Sequence, residues 1–386
     1  MERVGVMVEL SLDGVKGLSG AGPPGPAFRK DETMNWNLQE HGVWQQAAGD
    51  TDRDCSDLCL EWDVILNGPG AAGPWPECID RLDDLGVSAR KISDLRRFCE
   101  KMQNGDYVVL RLGTSLILGV GQVIGDYQWR EEFGDIDGWD LEHVRRVRWL
   151  WKHGGDPKRF PTYTLKQGDT TQRLDSDEVM DWIAGLKVSA GDAKRRLTSL
   201  PDCTGVEEVS LETISDFLFD HGVASGSIGH LLDEMGELVR IAKWYQRSSA
   251  PSEQETVTYL VAPLLRALGW TPQMMAIEWN KVDLALFGRL PRENHSLSVV
   301  VEAKKMNASC LSAASQAESY ARGNPNCRRL IVTDGLRYGV YVKNRSRGFQ
   351  LHAYMNLTNL KNTYPVYRCE GASEALLTMA PEWRDG

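Results

Sequence analysis

Lys281-Val282-Asp283-Leu284-Ala285-Leu286-Phe287, a loop from Gly288 to Ser296, and Ser298-Val299-Val300-Val301-Glu302-Ala303-Lys304 form the stretch that decides the fold. Both arms are apolar runs of strand length, separated by turn-forming residues. Residues two apart on a strand share a face, so Glu302 and Lys304 project together while Val301 and Ala303 point into a core. If the two strands pair, Asp283 sits beside Glu302. Two carboxylates on adjacent strands, with an amine on the same side, can hold one or two divalent cations against a phosphate. Hard oxygen ligands suit Mg²⁺, with Mn²⁺ as a substitute; Mg²⁺ takes one or two protein carboxylates and fills its shell with water and substrate oxygens. A lysine beside it can orient water or stabilise developing charge without being the formal base. Glu-x-Lys alone means little, because such pairs dot protein surfaces; the apolar strand before it and the upstream aspartate give it weight.

Working outward, Glu253 to Leu268 reads as an amphipathic helix. Val257, Leu260, Val261, Leu264, Leu265 and Leu268 share one face, with Glu253 in phase. Ser252 can cap it and Gly269-Trp270 ends it. Downstream, a helix carries Gln316 and Tyr320, and Leu330-Ile331-Val332-Thr333-Asp334-Gly335 reads as a strand and turn. From Glu253 to about Val342 the chain resembles the PD-(D/E)XK nuclease superfamily, in particular the N-terminal nuclease domain of type I restriction motor subunits. That resemblance implies an α/β nuclease core with Asp283, Glu302 and Lys304 as its metal-binding and catalytic set. It makes Glu253 a helix acid that helps hold the metal. Gln316 and Tyr320, in a QxxxY pattern, would contact DNA or position the site. The sequence departs from the pattern at Val282, where the motif has proline, which leaves the aspartate in place. Glu293 and His295 read as loop surface.

Upstream, Trp62-Asp63-Val64-Ile65-Leu66 reads as a strand ending in an Asn67-Gly68-Pro69-Gly70 turn, and Ser93 to Met102 as a helix capped by Ser93. Asn104-Gly105-Asp106 opens two strands, Tyr107 to Leu112 and Ser115 to Ile124, and His143 to Trp149 is a third. Residues 58–185 are similar to the PUA-like superfamily, especially EVE domains and related readers of modified bases in restriction systems. Glycines in such strands let a sheet curl into a small barrel. The resemblance implies a pocket for a flipped base, stacked on aromatic faces and hydrogen-bonded at its edge. Trp62, Trp75, Tyr127, Trp129 and Trp139 are the aromatic candidates; Asn67 could bond the base edge. For each aromatic the plain alternative is core packing.

The fold class expected is thus mixed, α+β and α/β, in several domains. Residues 1–56 are an N-terminal extension, partly flexible, in which Gly17 to Pro26 reads as a linker. A PUA-like barrel follows at 57–188, a helical connector at 189–250, and the nuclease core at 251–386. The 386 residues carry a net charge of −10, unevenly spread. From Pro251 onward 16 Lys and Arg face 12 Asp and Glu, whereas the first 250 residues hold 28 against 42. Phosphate contact is reasonable only in the basic C-terminal region. Eight scattered cysteines form no CxxC pair, and Met1 to Val6 begins no secretory leader, so reduced thiols in a cytoplasmic protein are expected. No apolar run reaches membrane-spanning length. The expected function is a modification-dependent DNA endonuclease of a prokaryotic restriction system, type IV-like. Cutting both strands would need a homodimer, for which the helices of 190–250 are the candidate joint. Two alternatives stand: a nuclease effector whose first domain senses RNA or a nucleotide signal, or a nucleic-acid binder that has lost catalysis. No GxxxxGK[ST] motif is present, so any translocation would need a partner.

Overall fold

The computed structural model describes residues 33–34, 36–49, 53–344 and 348–383. The expected linker from Gly17 to Pro26 lies outside them. The molecule is mixed α+β, built on two large sheets.

The first sheet runs, in spatial order, Val64–Asn67, His143–Lys152, Leu116–Trp129, Tyr107–Leu112, Val43–Ala47 and Thr171–Arg173. Tyr107–Leu112 pairs in parallel with Val43–Ala47; the other neighbours are antiparallel. The sheet curls until its ends nearly meet. Gln46 Nε2 donates to the Leu66 carbonyl (2.7 Å) and Asn67 Nδ2 to Thr171 Oγ1 (3.1 Å), so side chains close the seam where no ladder does. Gly121 permits the curl: a Cβ there would stand 2.4 Å from Val147 Cγ1 and 2.9 Å from Trp149 Cε3. Alternation then sends one set of side chains to a core of Trp44, Val108, Leu110 and Leu118, and the other to one of Val43, Tyr107, Val109 and Val120.

The sequence reading misplaces three boundaries here. Val43–Ala47 is a central strand, so the half-barrel begins well before residue 57. Trp62 ends a helix, Ser56–Trp62, and the strand starts only at Val64, after Asp63 turns the chain at φ 54°. The helix expected from Ser93 is Ala89–Arg96, capped by Ser88, whose Oγ accepts the Lys91 amide, and not by Ser93; Arg97–Lys101 continues it as a π turn.

The second sheet begins Met275–Trp279, Val282–Phe287, Leu297–Ala303, Arg329–Thr333, Arg337–Asn344 and Gly348–Asn356. The first three strands are an antiparallel meander. Helix Ala314–Ala321 then crosses over to bring Arg329–Thr333 parallel to Leu297–Ala303. Both faces are covered, which explains the unbroken apolar runs. On one side Leu284, Val299, Val301 and Ile331 pack with the helical segment from Glu253, with Ala372–Met379, and with the long helix Ser225–Arg247. On the other, Ala285, Val300 and Val332 pack under Ala317 and Ala321. The helices at Leu211–Asp220 and Ser225–Arg247 therefore bury their apolar faces in the core of the C-terminal unit, where the sequence suggested a connector. No helix among the described residues is long and apolar enough to cross a membrane.

Candidate active site and cavity

Strand register brings the two carboxylates together. Leu284 pairs with Val301, and one step further along this antiparallel ladder sets Asp283 across from Glu302. Asp283 shares its sheet face with Ala285, and Glu302 with Val300, so both point to the side covered by helix Ala314–Ala321. Asp283 Oδ2 accepts the Ala303 amide at 2.8 Å. Lys304 Nζ stands 3.5 Å from Glu302 Oε1 and donates to Gln316 Oε1 at 3.2 Å. Gln316 Nε2 in turn donates to the Tyr320 hydroxyl at 3.3 Å. The QxxxY pair thus extends from the lysine along one helix face.

Glu302 is only 2% exposed, and its Oε2 is buried without a hydrogen-bond partner. Burial, and then the neighbouring Asp283, push its pKa up to about 7 despite Lys304. Asp283 is raised as well, by burial first, with Glu278 adding to it. Glu253 reaches the site from the start of its helix, where Ser252 and Glu255 form a capping box. It lines a cleft of about 160 Å³ with Val257, Ile277, Glu278 and Asp283. Glu278 was missed in the sequence; its only signal was an acid at the end of the strand feeding the Asp283 hairpin. Among the described residues no group of three or more His, Cys, Asp or Glu side chains is arranged to hold a metal ion. The donors that converge are the pair Asp283 and Glu302, a number that suits Mg²⁺. An orphaned buried carboxylate oxygen beside a second carboxylate is a local excess of negative charge that a hard cation would relieve. The Glu293 and His295 side chains are exposed, as expected of loop surface.

The half-barrel carries a cavity of about 530 Å³ at the seam of the curled sheet. Of the six expected base-binding residues, two line it. Trp139 stands on its wall with the Arg53 guanidinium 4.6 Å from its ring. Asn67 is there too, but its amide is engaged with Thr171, Gly68 and Lys91. The other four lie elsewhere. Trp62 is buried and donates to the Val366 carbonyl at 3.0 Å, joining the two units. Trp75 is buried against Glu100. Trp129 donates to the Gly70 carbonyl, and Tyr127 bonds His143. These four serve packing and loop support.

Two cations on the cavity wall escaped the sequence reading. Lys91 is saturated by Asn67, Asp94 and Thr170. Arg111 is 4% exposed; its Nη atoms donate to the Gly113 and Asp169 carbonyls, and its Nε is buried with no partner. A charged residue inside the apolar run of Tyr107–Leu112 was the signal that could have found it. A buried donor left unmade costs about 1–3 kcal/mol.

Comparison with curated proteins gives no match. A family model described as a domain of unknown function, DUF8426, matches residues 44–173. Those limits coincide with a paired couple in the structure, since Trp44 is the ladder partner of Arg173, whose guanidinium lies 4.2 Å from the indole centre. The stretch similar to this family is therefore the half-barrel from its parallel strand to its closing strand.

Proposed function

We propose that this chain is a metal-dependent DNA endonuclease of the PD-(D/E)XK type, directed by a half-barrel that reads a modified base. The observation that carries the proposal is the pairing of half-buried Asp283 with buried Glu302, with Lys304 beside them and an unpartnered Glu302 oxygen. Asp283 and Glu302 would hold Mg²⁺ or Mn²⁺, and Glu253 would add its charge from the rim. The metal supplies Lewis acidity toward a phosphodiester. Lys304, held by Gln316, is placed to orient the attacking water or to stabilise charge on the phosphate. Tyr320 and the exposed Gln316 face the side from which a backbone would approach. In the half-barrel a flipped base would enter the 530 Å³ cavity, stack on Trp139 and offer an acceptor to Arg111. Charge follows the same division: the basic C-terminal region suits phosphates, and the acidic first half suits reading one base in a pocket.

The test is cleavage of matched plasmids, unmodified or carrying 5-methylcytosine, 5-hydroxymethylcytosine or glucosylated cytosine, with Mg²⁺ or Mn²⁺. Wild type should cut modified DNA alone; Lys304→Ala should cut none, and Arg111→Met should lose the preference. Equal cutting of every plasmid removes the reading role and keeps the nuclease. A second reading, in which a small nucleotide signal fills the cavity and switches cutting on, is favoured by its size, which lies within the ~300–1,000 Å³ of small-molecule sites. Cutting of unmodified DNA that appears only when a nucleotide is added would select it.

A further inference from the structure

Among the places where the half-barrel and the nuclease unit meet is one turn that reaches toward the carboxylate pair. Residues 136–139 are closed by a two-way backbone bridge, Ile136 to Trp139, at 2.8 and 3.0 Å. One end of that turn is Trp139, on the cavity wall. The other carries Asp137, buried, at φ 48°. Its carboxylate crosses into the nuclease unit. Oδ1 accepts the Cys310 amide (3.1 Å) and thiol (3.2 Å); Oδ2 accepts the Leu311 amide (3.2 Å) and the Ser309 hydroxyl. These amides open the 3₁₀ turn Leu311–Ala313, which runs directly into helix Ala314–Ala321. Asp137 therefore caps, from another part of the chain, the helix that presents Gln316 to Lys304.

The same loop is fixed at its other end from within the nuclease unit. Lys304 donates its amide to the Thr333 carbonyl, and Asp334 accepts the Asn307 amide at 3.0 Å. Arg337 lies 2.7 Å from Asp334 and 3.7 Å from Asp135, one residue before the turn. Gly138 leaves room for that guanidinium, which a Cβ would meet at 2.7 Å. The segment from Lys304 to Leu311 thus hangs between an aspartate of its own unit and one of the half-barrel.

We propose that Asp137 is a positioning residue of the nuclease site, through which the cavity sets the rate of cutting. The path is short and made of contacts: Trp139, the closed turn, Asp137, the capped helix, Gln316, Lys304. A ligand stacked on Trp139 moves or steadies the turn, and the cap passes this to the lysine. Asp137 is buried and spends its carboxylate on Ser309, Cys310 and Leu311, so its loss should appear in turnover and not in binding. The proposal rests on the nuclease reading above.

The experiment uses the full chain with Asp137→Asn, which keeps one acceptor, and Asp137→Ala, which keeps none. On the modified plasmid that wild type cuts, kcat should fall about tenfold in the first and further in the second, with KM within about twofold. Mg²⁺ affinity by calorimetry should be unchanged in both. Hydrogen exchange of the 310–321 amides should speed up in the same order. Unchanged kcat in Asp137→Ala, in a protein whose wild type cuts, overturns the proposal and leaves the nuclease standing. An equal fall in kcat and Mg²⁺ affinity also overturns it, because Asp137 would then act through general folding. If wild type cuts nothing, the nuclease reading fails and the positioning role with it, while the exchange data still decide whether the cap exists.

Discussion

At the scale of single residues the tension sits in Glu302. An acid buried beside Asp283, with one oxygen unpartnered, destabilises the fold whenever it ionises without a cation. Its folded pKa of about 7 lies above the ~4.3 of an unfolded glutamate. The native state then binds the proton more tightly, so this contribution is fully present below about pH 4.3 and is lost as pH rises through 7. Metal-free wild type should lose on the order of 3–4 kcal/mol relative to Glu302→Gln between pH 4 and 8, read as the difference in unfolding free energy from urea titrations. The difference isolates this group from all others that titrate. Mg²⁺ at pH 8 should raise the wild-type midpoint and leave that of Glu302→Gln nearly unmoved. Parallel midpoints at every pH would show that the carboxylate is solvated and the site is not primed for a cation.

Elements show where sequence reasoning succeeds and where it stops. The strands Val282–Phe287 and Leu297–Ala303 were legible because each is a short apolar run with its own polar exception, and a period of two puts Glu302 and Lys304 on one face whatever the rest of the chain does. The helix at Ala89–Arg96 was placed late because Ser88 and Ser93 are equally good caps by type; the apolar pattern of Leu95, Phe98 and Met102 fits either start. The aromatic candidates were illegible for a different reason: tryptophans used for packing and for stacking have the same composition, and only the curl decides which face a cavity. Tyr127 is the instructive case. Its hydroxyl accepts the Trp75 amide at 3.1 Å and stands 2.8 Å from His143 Nδ1, while His143 Nε2 lies 3.1 Å from the Pro69 carbonyl. A carbonyl can only accept, so Nε2 carries the proton, Nδ1 accepts from the tyrosine, and the neutral imidazole satisfies the chain. Burial accordingly pulls the His143 pKa down to about 4. A depressed value means stability that is complete above about pH 6.5 and is lost as pH falls through 4. The NMR titration of this imidazole should stay flat down to about pH 5; a midpoint near 6.5 would mean that the ring is wet and the loop at Pro69 is not held by it.

For the whole molecule, length suggests more than one domain and says nothing of how the two large sheets join. Many of the joints are single polar residues reaching across, among them Trp62 to Val366, Arg53 to Asn307, Asp135 to Arg337 and Asp137 to Cys310. No local pattern announces such long-range bonds, and the helices from Leu211 to Arg247 look like a connector until the sheet that receives them is seen. One feature of the assembled chain bears on its product. On the endonuclease reading proposed above, each chain brings a single Asp283–Glu302 pair to the duplex, and that pair would hydrolyse one phosphodiester at a time. A double-strand break made in a single encounter would then take two copies on one duplex. Mixing wild type with an excess of Lys304→Ala tests this, because the variant keeps both carboxylates and every surface a second copy would use. If paired copies act, most wild-type chains will be matched with a dead partner, and modified plasmid will accumulate as nicked circles while linear product falls. If one copy cuts both strands in turn, the variant can only compete for sites: total cutting slows, and the proportion of linear to nicked product stays as it is with wild type alone.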